Sequence, residues 1–445
     1  MHCSRRQQNN SCNTNVASTE DRLPDEVIVS TEDRLSQLPD EVIVSILSQL
    51  TIREAVQTSS LSTQWQYLWM HATRLNFDVS KFITWETSFN PRLCKKEGLR
   101  HINLFNNVVR LHKSDVLEEF NLSFPFHRRF KCEIDRWLMF VSSKKKVESL
   151  RLDLSLSIYE NKRYIFPFKL ISSSLSPFFG LKVLALNRVH VDNRVVNFFI
   201  SRCPLLEKLS IFCSGLLTHL EIVGPSCLKL KDLEISYCNN LDIFKIHNVN
   251  LVSFKYIGRK PNLHLQNVKS IVSADFYMVD GLVHELIPKL TTHFTQLVTL
   301  SLAFSILRTD LIPYDYSFPM FNNLKVLALK IKDMIDVSLL GVTPLIEASP
   351  YLQKLDIQLE WYKTTICKDE IERKKYPHQH LKEVKYSDYL GGIADLILTT
   401  YLIENSVALE TFIIDPLKCD DQKARGLARQ QLQEIIPKRV KLVIL

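Results

Sequence analysis

With 445 residues, 46% of them hydrophobic, and a formal net charge of +8, the chain can bury a large core, while its 10 glycines are too few for a low-complexity or glycine-rich nucleotide-binding protein. Ten cysteines without a C-x-x-C pair fit reduced thiols in the cytoplasm, the nucleus or both, and argue against a disulfide framework. No apolar run reaches the ~18 residues of a membrane span, and Met1–Ala17 lacks the apolar stretch of a secretory signal, so no membrane association is expected.

The stretch Ser18–Asp78 carries ten acidic residues against four arginines, a net of −6, and the rest of the chain is correspondingly basic. Those cations are scattered. The one run, Lys144–Lys146, falls between a predicted helix and a strand and reads as a solvated turn, so no nucleic-acid site is expected.

In chain order, residues 1–30 come first: a polar tail, then Thr19–Ser30, a partial copy of Thr31–Ser45 that lacks Ser36-Gln37-Leu38. Only the second copy continues into a helix. From Pro39, the residues Ile43, Ile46, Leu47 and Leu50 fall at i, i+3, i+4 and i+7, with Asp40 and Glu41 where the helix dipole favours acids. A second short helix is expected over Ile52–Ser60. A third, capped by Ser62, would place Trp65, Leu68, Trp69 and Ala72 on one face. Three such helices bury too little surface to stand alone, so another surface must complete them.

From Val116 the pattern L-x-x-L-x-L recurs, as in LEEFNL (Leu117), VESLRL (Val147), LKVLAL (Leu181 and again Leu324), LEKLSI (Leu206), LVTLSL (Leu297) and LQKLDI (Leu352). Most gaps between starts hold a strand plus a helix. From Leu206 to Leu251 they shrink to between 10 and 13 residues, which predicts two strands per coil, one on each side. Pro261–Val279 shows no clean repeat and reads as an irregular insert. Because strand side chains alternate, Ala185, Ser210, Glu234, Lys245, Ser301, Ala328, Asp356 and Lys385 are expected on the outward, concave face. Ser210, Glu234, Lys245, Ser301, Asp356 and Lys385 are the candidate target-binding residues.

No site for bond chemistry emerges. There is no phosphate-binding glycine loop, and His378-x-His380 has no third ligand at metal spacing, so no cofactor or metal is expected. Cys419 lies beside Asp420 and Asp421, which would raise its thiol pKa and blunt it as a nucleophile. Cys203, Cys213 and Cys227 read as small buried hydrophobes, and Cys238 as a turn residue.

Asp33–Asp78 resembles an F-box, through Leu35, Leu38-Pro39-Asp40-Glu41, Ile46-Leu47, Leu50, Glu54-Ala55-Val56, Leu61-Ser62, Trp65, Leu68-Trp69 and Leu75-Asn76-Phe77-Asp78. Gln49, Thr51 and Thr63-Gln64 depart from the plant pattern. Pro377–Pro416 resembles the FBD domain, through His380-Leu381-Lys382-Glu383-Val384, Gly391-Gly392, Tyr401–Asn405 and Leu409-Glu410 before Ile414-Asp415-Pro416. The whole is similar to plant F-box/leucine-rich-repeat proteins.

That resemblance implies an α/β chain: a short three-helix F-box (31–78), a curved leucine-rich-repeat solenoid (79–370) and an FBD-like strand–helix–strand cap (371–445). It implies a non-catalytic substrate-recognition subunit of an SCF-type cullin–RING ubiquitin ligase. The Skp-family adaptor would be held by Leu38, Pro39, Ile43, Ile46, Leu47, Leu50, Val56, Leu61, Trp65 and Trp69, and an unidentified target protein by the repeats. Two alternatives stay open: a repeat scaffold with a decayed F-box, and a small-molecule-dependent receptor in which Pro261–Val279 supplies part of a pocket.

Overall fold

A computed structural model describes residues 37–156, 163–172, 176–224, 229–278, 283–305, 317–332, 342–360, 376–416 and 421–445. The tail with its partial duplication, Leu35, Cys227 and Cys419 lie outside the described residues.

Three helices open the fold: α1 (Asp40–Leu47), α2 (Ile52–Gln57) and α3 (Trp65–Leu68). The third is shorter than its pattern predicts. Ser62 Oγ accepts from the Trp65 amide at 3.4 Å, and the chain tightens into a 3₁₀ turn at Trp69–His71. The next residues, Arg74–Asp78, form the first strand of the main sheet, so the helical unit is continuous with the solenoid.

Among the described residues that sheet has fourteen strands, all parallel to their neighbours, from Arg74–Asp78 through Glu119–Ser123 and Ser149–Asp153 to Lys441–Ile444. Each L-x-x-L-x-L strand sends its last two apolar residues inward. Phe120 stands beside Leu150, then Leu184, Leu209, Leu233 and Phe254, all buried. Strands that bury one face at every second residue stack in one register, because a slip of one residue would turn the apolar row to water. The chain leaves several strands through a left-handed residue one past the end, at Arg188, Cys213, Tyr237, Asn248 and Asn267.

The two-strand coils are present. His219–Val223, Ile243–His247 and Asn262–Gln266 form a second, three-stranded sheet, interleaved in sequence with strands of the main one. This corrects two expectations. Lys245 lies on the second sheet, beside Glu221 and His264, and Lys255 holds the corresponding place on the main sheet, beside Glu234 and Asp275. Nor is Pro261–Val279 an irregular insert: Asn262–Gln266 and Ser273–Met278 continue both sheets. The pattern there is Ile271-x-x-Ala274-x-Phe276, and Ala274 hides the repeat by standing where leucine usually does. The aromatic residues compensate, with Phe276 edge-on to Phe254 at 5.3 Å and stacked on Phe294 at 6.4 Å.

Between the first strand and the regular repeats lie α4 (Trp85–Ser88), α5 (Pro91–Leu111) and α6 (Lys131–Ser142). Asn90 caps α5, accepting from the Arg92 and Leu93 amides, with Pro91 at the first helical position. An aromatic cluster binds this region to the first strand: Phe77 stacks on Phe105 at 4.4 Å, and Trp137 stands edge-on to Phe105 and Phe124. Trp137 also donates through Nε1 to Asn106 Oδ1 at 2.8 Å. Gly98 lets α5 approach this cluster, since a Cβ there would lie 2.7 Å from Phe130 Cε2. Gly98→Ala is therefore expected to destabilise by about 1–3 kcal/mol through overpacking, despite its better helix propensity, and a thermal melt checks the sign.

Lys144 is not solvated, in contrast to the expectation for Lys144–Lys146. It is buried, donates to His112 Nδ1 at 2.9 Å and to the Ser114 carbonyl at 2.7 Å, and lies over the Phe140 ring at 4.2 Å. His112 Nε2 in turn donates to the Ala72 carbonyl at 2.8 Å, a direction fixed because a carbonyl only accepts and an ammonium only donates. The Lys113 amide adds a bond to the Met70 carbonyl at 2.8 Å. The end of the three-helix unit is thus tied to the first solenoid coil by buried polar bonds.

The C-terminal region is a strand–helix–strand unit, Glu383–Tyr389, Ile393–Asn405 and Thr411–Pro416, followed by one further helix, Asp421–Ile435, and the edge strand Lys441–Ile444. Gly391 takes the left-handed turn conformation at φ 75°. Asp395, one turn into the helix, accepts from the Leu390 and Gly392 amides and from the Tyr386 hydroxyl, which fixes the turn.

Candidate functional site

Two surfaces stand out: the outer side of the three helices and the outward face of the main sheet. Helix α1 is apolar on two sides. Ile43 and Leu47 point inward and are buried, whereas Val42 and Ile46, each one position earlier, point out to solvent. Leu61 and Tyr67 are exposed as well, at 64% and 56%. Scattered apolar residues on a surface need no explanation, but four on one small helical unit are what a docking face requires.

The expected adaptor-binding residues therefore divide. Ile43, Leu47, Trp65 and Trp69 are buried within the chain, and Leu38, Leu50 and Val56 are half-buried against that core. Ile46, Leu61 and Pro39 are exposed. The four buried side chains are closed off from solvent and support the exposed ones from beneath. The sequence reading passed over two exposed apolar side chains: Val42, because the stripe read on α1 was centred on the inward Ile43 and Leu47, and Tyr67, because the stripe read on α3 was its inner Trp65–Leu68–Trp69 side.

Of the four residues that depart from the F-box pattern, Gln49, Thr51 and Gln64 have a structural use. Thr51 caps α2 in a reciprocal box: its amide donates to Glu54 Oε2 at 2.9 Å while its Oγ1 accepts from the Glu54 amide. The Thr51 hydroxyl, which donates to Glu54 Oε2 at 2.7 Å, and then the Thr51 amide hold the Glu54 carboxyl below its ordinary pKa. Gln64 Nε2 donates to Asp40 Oδ1 at 3.0 Å and joins the starts of α3 and α1. Gln49 Oε1 accepts from Arg74 at 3.2 Å, linking the end of α1 to the first strand.

On the outward face of the main sheet, Ala185, Ser210, Glu234, Lys255, Asp275, Ser301, Ala328, Asp356 and Lys385 follow one another from strand to strand, as the register requires. The charges in this row compensate one another. Lys255 Nζ lies 3.2 Å from Glu234 Oε1 and 4.0 Å from Asp275 Oδ2, and Ser210 Oγ donates to Glu234 Oε2 at 3.0 Å. Partial burial raises the Asp356 carboxyl, a shift that Lys385 and Lys354 oppose. One row towards the strand ends the middle strands carry the partly exposed Phe212, Ile257, Tyr277 and Ala303; the row is interrupted by the buried Ser236, whose neighbour Tyr237, one past its strand, stands edge-on to Phe212 at 5.1 Å. The L-x-x-L-x-L pattern carries no signal for this strip, which follows only from the register.

Among the described residues no three potential ligands cluster around a metal position, and no helix is long and apolar enough to cross a membrane. His378 is buried while His380 stacks on Tyr351 at 5.4 Å near the surface, so the pair does not point to one centre. Burial pushes the Cys203 thiol up to about 12 and the Cys238 thiol up to about 11.

Residues 35–74 match the F-box domain, and residues 173–437 match the LRR domain of the At1g61320/AtMIF1 type. The chain is similar to the F-box/FBD/LRR-repeat protein At1g13570 of Arabidopsis thaliana, at 30% identity over 44% of this chain and 48% of that protein. It is also similar to the FBD-associated F-box protein At5g38590 of the same plant, at 27% identity over 92% of this chain and 100% of that protein. The F-box/LRR-repeat protein At3g26922 matches at 27% identity, over 64% and 94%. The chain thus spans about half the length of the first of these relatives and nearly all of the other two. By its F-box helices, its parallel leucine-rich sheet and these matches, the chain belongs to the plant F-box/leucine-rich-repeat family with an FBD region.

Proposed function

We propose that the protein is a substrate-recognition subunit of an SCF-type cullin–RING ubiquitin ligase, working in the cytoplasm or nucleus. Its helical unit would dock on a Skp-family adaptor through Val42, Ile46, Leu61 and Tyr67, and its repeats would hold a target protein. The observation that carries this reading is an exposed apolar helical face on a unit fused by strand pairing and buried polar bonds to a long solenoid. The chain would contribute no bond chemistry. It would raise the local concentration of a target's lysines at ubiquitin delivered by other subunits, which demands a stiff connection between the two surfaces.

For the target, the concave strip at Phe212, Tyr237, Ile257 and Tyr277 is favoured over the charged row, because the row's groups already satisfy one another. Co-expression of the full chain with a Skp-family adaptor, followed by size-exclusion chromatography with light scattering, tests the first half. A stable one-to-one complex is expected; two separate peaks at micromolar concentration would remove the ligase reading and leave a repeat scaffold.

A further inference from the structure

We propose that α4 and the first three turns of α5 form a second docking surface, which takes an acidic segment of the same partner that docks on the F-box; this rests on the reading above. Arg92, Lys95 and Lys96 carry no ion pair among the described residues, and Arg100 is bound to Glu97 at 2.5 Å. The turn that seats Phe130 against Gly98 adds two more exposed cations, Arg128 and Arg129. Within α4 and this part of α5 the only acids are Glu86 and Glu97.

Apolar groups are interleaved with these charges. Trp85 is 74% exposed, yet it is held in place by Phe89, edge-on at 4.4 Å, and Leu93 and Leu99 are exposed nearby at 44% and 52%. A merely solvated helix face has no use for an ordered tryptophan in water. Aromatic residues and arginine together are the composition of interface cores.

The patch is also continuous with the F-box. The Arg53 guanidinium of α2 lies 4.7 Å over the Phe82 ring, and Arg53, Phe82, Glu97, Arg100, His101 and Leu104 line one groove of about 450 Å³. A partner held on the F-box helices therefore presents its neighbouring segments to α5 at high effective concentration. The unpaired guanidinium and ammonium groups select carboxylates in that segment, and Trp85, Leu93 and Leu99 select apolar side chains beside them.

The test measures association of the full-length protein with a recombinant Skp-family adaptor at about 50 and about 300 mM salt, with Arg92→Glu/Lys95→Glu/Lys96→Glu, the corresponding triple Gln variant and Ile46→Glu run alongside. The expected result is an association rate about tenfold lower for the Glu triple at low salt, a smaller loss for the Gln triple, convergence at high salt and unchanged melting temperatures. Wild-type rates for both triples, with binding lost only in Ile46→Glu, would overturn this surface and leave the F-box reading standing. No binding by the wild type would overturn both. Capture of phosphatidylserine vesicles or single-stranded RNA that the Glu triple alone abolishes, with adaptor binding intact, would overturn it in favour of a membrane or nucleic-acid contact.

Discussion

Replacing Ile46 and Leu61 together by glutamate is expected to abolish adaptor capture while shifting the melting temperature by no more than about 2 °C. Both side chains are exposed, and surface substitutions of this kind usually fall within about ±0.5 kcal/mol of stability. As interface anchors, each is worth on the order of 2 kcal/mol, about a thirtyfold loss of affinity, and a charge placed in an apolar contact costs more. The contrasting pair is Leu47→Ala and Trp65→Ala. Both side chains are buried, so their removal is expected to cost about 2–5 kcal/mol of stability, and binding should fall only as far as the helical unit loosens. Circular-dichroism melts and pull-downs on the same four proteins separate the classes. If Ile46→Glu/Leu61→Glu binds like wild type, the outer face of α1 is not the docking surface.

That contrast also shows where sequence pattern stops. The run from Val42 to Leu47 is apolar at five of six positions, so its periodicity admits two faces, and only packing against Trp65 and Trp69 decides which one turns inward. The repeat strands were legible because each buries its side chains at a fixed period in a chain that supplies leucine for the purpose. The coil at Ser273–Met278 escaped because Ala274 breaks the leucine rule while keeping the geometry.

Helices α4 and α5 escaped for another reason. In α5 the buried stripe runs through Cys94, Gly98 and His101 before it reaches Phe105 and Val108, residue types that carry little hydrophobic signal. Only its start carries a local pattern, the cap Asn90 followed by Pro91 at the first helical position. The Lys144–His112 junction had no signal at all, since a lysine run reads as solvent-facing until the fold closes over one of its members.

Acidification from pH 7 to about 4.5 is expected to destabilise the protein through two histidines of opposite design. Burial is the first cause in both, and it lowers His112 and His378 from the ordinary 6.5 to about 4. The unfolded chain takes up these protons as pH falls through 6.5, whereas the folded chain takes them up only near 4. The unfolded state therefore binds more protons across that window, and stability falls with pH, by about 3 kcal/mol per histidine near pH 4. Replacement by leucine separates the two. Neither ring nitrogen of His378 has a hydrogen-bond partner among the described residues, so His378→Leu removes a buried unsatisfied group, raises stability by about 1–3 kcal/mol and flattens its share of the acid limb. His112 accepts from Lys144 and donates to the Ala72 carbonyl, so His112→Leu leaves a buried ammonium and a carbonyl short of partners and lowers stability at pH 7. Thermal melts of both variants at pH 7.0, 5.5 and 4.5 decide the matter. Parallel behaviour of the two would mean that the His112 bonds do not hold the F-box to the solenoid, and the stiffness on which target presentation depends would have to come from the pairing of the first two strands, the Lys113–Met70 bond and the Phe77–Phe105–Trp137 cluster.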